Sequence, residues 1–252
     1  MKIPFPPVEL MKSVGSADES FFDNPKGELA FLDEIAPEKY ERIFDFGCGC
    51  GRIARKMMCQ KENRPKHYLG IDLFEKSIKW CTANLSKIDK NYVFVHYDVF
   101  NTQFNPKSRQ ARKPFPTSEK FSLVNAHSVF THIIECQLEF YLSECSRVLA
   151  EDGIFRATWF LFDKTGFPMM QEFQNCLYIN PDNLTNATIY DYNYIQKKYA
   201  DQGLLIYKII PPTVRGFQWF LFAAKESVGL EKAEFPDDIA PLGLMRPPVS
   251  IL

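Results

Sequence analysis

The sequence has no long apolar run. Its most apolar stretch, Phe217 to Ala224, is far shorter than the ~20 residues a helix needs to cross a bilayer, and it reads as a buried strand. Charge of one sign is also missing. The formal net charge is -1, so no global basic field draws the chain to nucleic acid or to an anionic membrane surface. The opening Met1-Lys-Ile-Pro-Phe-Pro-Pro lacks the apolar core of a signal peptide. The seven cysteines are an odd number, scattered through helical and strand patterns. Cys48 and Cys50 lie inside a glycine turn, and the others lack a Cys/His pair at zinc spacing, so neither a disulfide framework nor a metal site is expected. Free thiols suit a reducing compartment, and a cytoplasmic protein is the expectation. In that setting the sequons at Asn183 and Asn186 carry no weight. No internal repeat is present.

What is present is an ordinary globular balance, 46% apolar and 24% charged over 252 residues, enough for one well-buried α/β domain. Residues 1–25, rich in Pro, Phe and Ser, read as an irregular arm, 26–225 as the domain, and 226–252 as an irregular, proline-bearing tail. After a helical pattern at Glu28 to Ile35, strands are expected at Arg42–Phe46, Tyr68–Asp72, Tyr92–Tyr97, Phe121–Ala126 and Ile154–Phe160. Helices at Arg52–Gln60, Glu75–Leu85 and about Glu135–Leu149 lie between them. Alternation of this kind implies a parallel sheet with right-handed crossovers. A loop with several tyrosines and a helix near Tyr192–Gln202 follow. Leu204–Ile210 and Gly216–Ala224 are then two strands joined by Pro211-Pro-Thr-Val-Arg215, too short for a crossover helix, so they should pair antiparallel. The expected fold is a Rossmann-like, seven-stranded, mostly parallel sheet with helices on both faces and an antiparallel terminal hairpin.

The most informative segment is Ile43-Phe-Asp-Phe-Gly-Cys-Gly-Cys-Gly-Arg-Ile-Ala54, where a strand runs into glycines 47, 49 and 51 and a helix opens at once. Glycine permits a sharp turn and close approach of a ligand to the backbone. The helix N-terminus offers unpaired N–H groups and a positive dipole end suited to a carboxylate. Asp72 ends the second strand and is placed to accept ribose hydroxyls; Asp98 follows the third and could face an adenine amine. With Asp45, these put acidic groups at three successive strand ends on the edge where open sheets bind ligands.

Asp45-Phe-Gly-Cys-Gly-Cys-Gly-Arg52 resembles the first motif of class I S-adenosylmethionine-dependent methyltransferases. The resemblance spans roughly residues 5–225 and extends to Gly70-Ile-Asp72, Trp80-Cys81 with Asn84-Leu85, Ser128-Val-Phe-Thr-His132, and Arg147-Val-Leu149 before Gly153. Pro6-Pro-Val-Glu-Leu-Met11 with Val14-Gly15 looks like the N-terminal arm of one bacterial branch of that superfamily. The resemblance implies a cofactor, S-adenosylmethionine, and roles for particular residues. Gly47, Cys48 and Gly49 would line its methionine portion, with Asp45 reaching the amino group directly or through water. Arg52 and the helix it opens would hold the carboxylate, Asp72 the ribose, and Leu73, Asp98 and Val99 the adenine. Ala126, His127 and Ser128 would sit under the sulfonium and face the substrate. Two features depart from the family: Ser122 or Asn125 stands where an aspartate is common in the fourth strand. The loop before that strand is also long, and it carries Lys107, Arg109, Arg112 and Lys113.

Methyl transfer is an in-line displacement in which orientation supplies much of the acceleration. An amine acceptor needs little else, whereas a hydroxyl needs a base or an activating metal. His127 and His132 are the candidate bases, each with a packing role as the alternative. Trp159, Tyr190, Tyr192, Tyr194 and Arg215 are candidate walls of a substrate pocket. The acceptor is expected to be a small molecule or sugar, methylated on O or N, with neither nucleic acid nor membrane as partner. A nicotinamide oxidoreductase would show G-x-G-x-x-G rather than the observed G-x-G-x-G, and the Asn/Asp-Pro-Pro-aromatic motif of enzymes that methylate exocyclic base amines is missing after the fourth strand. A silent protein that keeps the fold and binds another protein is the alternative from a different class.

Overall fold

The computed structural model describes residues 3–15, 37–60, 64–212 and 218–236. The expected helix at Glu28–Ile35, Arg215, and most of the C-terminal tail lie outside the described residues. The chain divides into two compact units, one of residues 1–126 with 148–153 and the other of 127–147 with 154–252.

In the first unit four parallel strands stand in the order β3-β2-β1-β4. They are β1 (Arg42–Phe46), β2 (His67–Asp72), β3 (Tyr92–His96) and β4 (Phe121–Ala126). β1 lies between β2 and β4, with Ile43 opposite both Tyr68 and Leu123. Its last four residues are all buried, as a strand covered on both faces requires; this explains its near-continuous apolar sequence. The helices α2 (Arg52–Cys59) and α3 (Glu75–Asn84) fill the two crossovers. The chain winds outward from β1 to β3 and then returns to the far side of β1 with β4. That reversal makes the carboxyl ends of β1 and β4 a topological switch point, the place where such sheets bind ligands. A short helix, α1 (Val8–Ser13), precedes all of this, so the N-terminal arm is partly ordered rather than irregular throughout.

In the second unit the residues of β5 (Leu149–Phe162) beyond 153 pair antiparallel with β9 (Trp219–Lys225), Phe155 opposite Ala223 and Trp159 opposite Trp219. β8 (Leu204–Ile210) completes the expected hairpin with β9, with an irregularity between Ile206 and Lys208. On its other side β5 pairs in parallel with β7 (Thr188–Asp191), and β7 pairs antiparallel with β6 (Cys176–Tyr178). The helices here are α4 (Glu135–Val148) and α5 (Tyr192–Ala200), the latter N-capped by Asp191, which accepts from the Tyr194 N–H at 2.9 Å. Trp159 anchors the core, stacked on Phe130 with centroids 4.4 Å apart.

The mixed α/β, Rossmann-like class of the fold is as expected, but the strand number is not. Nine strands occur among the described residues, because β6 and β7 lie in what reads as a tyrosine-rich loop. At three and four residues they are too short to show a two-residue period. β5 also starts five residues early and runs through Asp152-Gly153, where a turn is expected; Lys39 holds Asp152 there at 2.8 Å. The tail is not all loose surface chain, for Phe235 is buried against Tyr192 and Trp219 at centroid distances of 4.8 and 5.6 Å.

Candidate functional site

The turn after β1 is built by glycine conformations. Gly47, Gly49 and Gly51 have φ of 81°, 53° and 80°, a region closed to most side chains. Its first two N–H groups, of Gly47 and Cys48, are both donated to the Ile71 carbonyl at 2.8 and 3.0 Å, which hooks the turn over the end of β2. Gly49 then donates its N–H to the Asp72 carboxylate at 2.8 Å, and the other carboxylate oxygen accepts the Phe74 N–H at 2.7 Å. Asp72 is half-buried. Desolvation raises its pKa above the usual carboxylate range, while the Phe74 and Gly49 N–H groups pull the other way. Two of its roughly four lone-pair positions are used in this way, so two more acceptor positions remain.

Asp45 sits beneath the turn, 1% exposed. The Tyr68 hydroxyl donates to it, and so does the Asn125 side-chain amide at 2.6 Å. Asn125, which with Ser122 is one of the two candidates for the departure from the family pattern, therefore ties β4 to β1 through a buried polar pair. Arg52, the first residue of α2, is buried. Leu73 is half-buried and its carbonyl accepts from His96 Nε2 at 3.0 Å. Asp98 is held by the Asn105 amide at 2.9 Å; hydrogen bonds from Asn105 and Ser108 lower its pKa. Val99 beside it is buried, as is Ala126 at the end of β4.

The arm touches this turn directly. A Cβ built on Gly49 would meet Val14 Cγ1 at 2.6 Å. Met11 and Cys50 form a small buried cluster closed by Phe5, Leu10 and Val14. Arg55 of α2 lies over the Phe5 ring at 3.5 Å and donates to the Pro4 carbonyl. A Cβ on Gly51 would strike Leu85 and Cys81, so tight internal packing on α3 fixes that glycine as well.

The second unit holds the residues that follow β4. Ser128 has a φ of 56° and is the one non-glycine residue at positive φ among those described. Its N–H is donated to Thr158 Oγ1 and its hydroxyl accepts from Gln218, both at 2.7 Å. His127 is half-buried, and Arg156 Nη1 donates to its Nδ1 at 2.9 Å. His132 lies in a short helical turn, with Nδ1 donating to the Thr185 carbonyl at 3.0 Å.

The expected pocket walls fare differently. Trp159 is 0% exposed and its indole N–H is donated to Tyr199; it is a core side chain, not a wall. Tyr190 is likewise fully buried, its hydroxyl donated to the Ile133 carbonyl. Tyr192 is half-buried against Phe235. Tyr194 is half-buried among acidic groups and burial pushes its hydroxyl up to about 12. Sequence reasoning missed Arg156, Thr158 and Gln218. The signal was there for two of them: Arg156 and Thr158 stand at alternate positions of an otherwise apolar strand, and a buried polar side chain in a strand requires a partner.

A family model described as a methyltransferase domain matches residues 37–198. The chain belongs to this family of methyltransferase domains. Solved structures share the fold. A protein of Pyrococcus horikoshii OT3 is 15% identical, with 82% of this chain and 92% of that chain covered and a TM-score of 0.54. The glycopeptide N-methyltransferase MtfA, solved with S-adenosylmethionine, is 11% identical over 81% of this chain and 93% of that chain, TM-score 0.55. An O-methyltransferase of neocarzinostatin biosynthesis, NcsB1, solved with S-adenosylmethionine and 2-hydroxy-5-methyl naphthoic acid, is 9% identical over 86% and 58%, TM-score 0.56.

Proposed function

We propose that this methyltransferase alkylates an oxygen or nitrogen of a small molecule, holding its cofactor against the glycine turn and Asp72. The observation that carries the reading is the pairing of that turn, locked at positive φ, with a half-buried carboxylate that keeps acceptor positions in reserve at the end of β2. The residues fit the group. Hydroxyls of a ribose match the spare positions of Asp72, and the amino-terminal end of α2, with Arg52, matches a carboxylate. Leu73, Asp98 and Val99 would border the adenine, and Gly47, Cys48 and Gly49 the methionine chain. Asp45 supports the turn from below through Tyr68 and Asn125, an arrangement consistent with an indirect part in holding the amino group.

Bound S-adenosylmethionine supplies an electrophilic methyl: its carbon–sulfur bond breaks, the electron pair stays on sulfur as a thioether, and the acceptor's lone pair forms the new bond. The chain's own contribution is to hold the acceptor in line and keep water out. His127 and Ser128, directly after Ala126, are the residues assigned to face the acceptor. Among the solved relatives of this fold are both an N- and an O-methyltransferase, which supports leaving both atoms open. The net charge of -1 favours a small molecule over nucleic acid. No helix among the described residues is long and apolar enough to cross a membrane, and all seven thiols are free, consistent with work in the cytoplasm.

The test is transfer of radiolabelled methyl from S-adenosylmethionine into a small-metabolite extract, followed by separation by size. Label in low-molecular-mass products is expected. Label only in protein or nucleic acid would contradict the substrate class.

A further inference from the structure

We infer that Arg156 fixes His127 as a hydrogen-bond donor at Nε2, so that the methyl acceptor must arrive already nucleophilic, as a free amine or an ionised oxygen. This rests on the reading that the residues after β4 face the acceptor. The argument starts from what each group can do. A guanidinium has five N–H donors and no acceptor. At 2.9 Å from His127 Nδ1 its N–H must meet a lone pair, so Nδ1 is bare and the ring proton sits on Nε2. In that state the ring's one in-plane lone pair, on Nδ1, is taken up by the Arg156 N–H and is not open to an acceptor's proton, and the adjacent guanidinium opposes a second positive charge on the imidazole.

The arrangement is rigid. Arg156 is fully buried in β5 with its guanidinium over the Phe220 ring, 4.8 Å from the centroid. Two residues along the same strand face, Thr158 accepts the Ser128 N–H, and Gln218 clasps the Ser128 hydroxyl. The backbone next to His127 is thereby pinned in a conformation that a serine adopts only under constraint. His132 provides the contrast. A carbonyl only accepts, so the contact to Thr185 puts the His132 proton on Nδ1, the opposite tautomer. Arg156 is thus a positioning residue, acting through His127. With no proton removed by His127, an amine acceptor releases its proton to water after the carbon–nitrogen bond forms. A carboxylate or phenolate has none to lose.

The tautomer can be read without knowing the acceptor. Full-length protein labelled with ¹⁵N-histidine is examined at pH 7.5 by long-range proton–nitrogen correlation, alone and with S-adenosylhomocysteine. His127 is identified as the ring lost in His127→Asn. A protonated Nε2 with a bare Nδ1 is expected; a proton on Nδ1, or on both nitrogens, overturns the proposal. In Arg156→Met, His127 should populate both tautomers, and an unchanged Nε2–H spectrum would remove Arg156 from the account. The wild-type spectrum decides alone if that variant does not fold. An aliphatic hydroxyl acceptor emerging from the labelling experiment would also overturn it. Failure of S-adenosylhomocysteine to bind would instead defeat the functional reading, and leaves the tautomer measurable in the free protein.

Discussion

In the proposed function Asp72 is the residue that holds the cofactor's ribose, and its carboxylate also closes the glycine turn. Asp72→Asn keeps an oxygen to accept one backbone N–H but loses the charge. Charge-assisted hydrogen bonds worth roughly 1.5–3 kcal/mol make the expected loss of cofactor affinity about 10- to 150-fold, measured by calorimetry. Binding through the ionised carboxylate also has a pH signature. Affinity is full above the pKa of Asp72 in the free protein and is lost as pH falls through it. Because burial raises that value, the loss should begin at a higher pH than an ordinary aspartate would give, and Asp72→Asn should abolish it. Affinity that is flat through the weakly acidic range would contradict the assignment. Asp72 was legible in the sequence because a strand end and a count of residues from the glycines locate it. Trp159 was misjudged because an aromatic near a strand end looks the same in sequence whether it lines a pocket or, as here, stacks on Phe130 and donates to Tyr199.

Among the elements, the glycine turn and the arm behave as one. Gly49 needs positive φ and has Val14 where a Cβ would go. Gly49→Ala should therefore cost about 1–3 kcal/mol of stability and weaken cofactor binding. Gly166→Ala is the control: nothing lies within 4 Å of its Cβ, and its melting temperature should scarcely move. Equal melting temperatures for the two variants would show that the arm does not bear on the turn. The strand–helix alternation from β1 to β5 was readable because each element is long enough to show its period. β6 and β7 were not, since their pairing is decided by β5 and by each other rather than by local pattern. The contact of the arm with Gly49 joins residues 35 apart, and no local signal reports it.

At the scale of the whole molecule, the thiols test the packing in a single experiment. Cys48, Cys50, Cys81 and Cys145 are buried, Cys176 is half-buried, and only Cys59 and Cys136 are exposed. Desolvation raises all five of the covered thiols, Cys50 to about 12 and Cys176 to about 11. A thiol-specific reagent at pH 8 should titrate two groups quickly in the native protein and all seven after denaturation; rapid reaction of Cys50 would mean that the arm does not cover it. The apolar and charged content made one well-buried α/β domain the expectation, whereas the division into two units depends on contacts that composition does not encode. The most direct test of the central claim is calorimetric titration of the purified chain with S-adenosylmethionine, S-adenosylhomocysteine and NADH. Micromolar binding of the two sulfur compounds, lost together in Asp72→Asn and with no heat from NADH, is the predicted result. A folded protein that binds neither sulfur compound would contradict it.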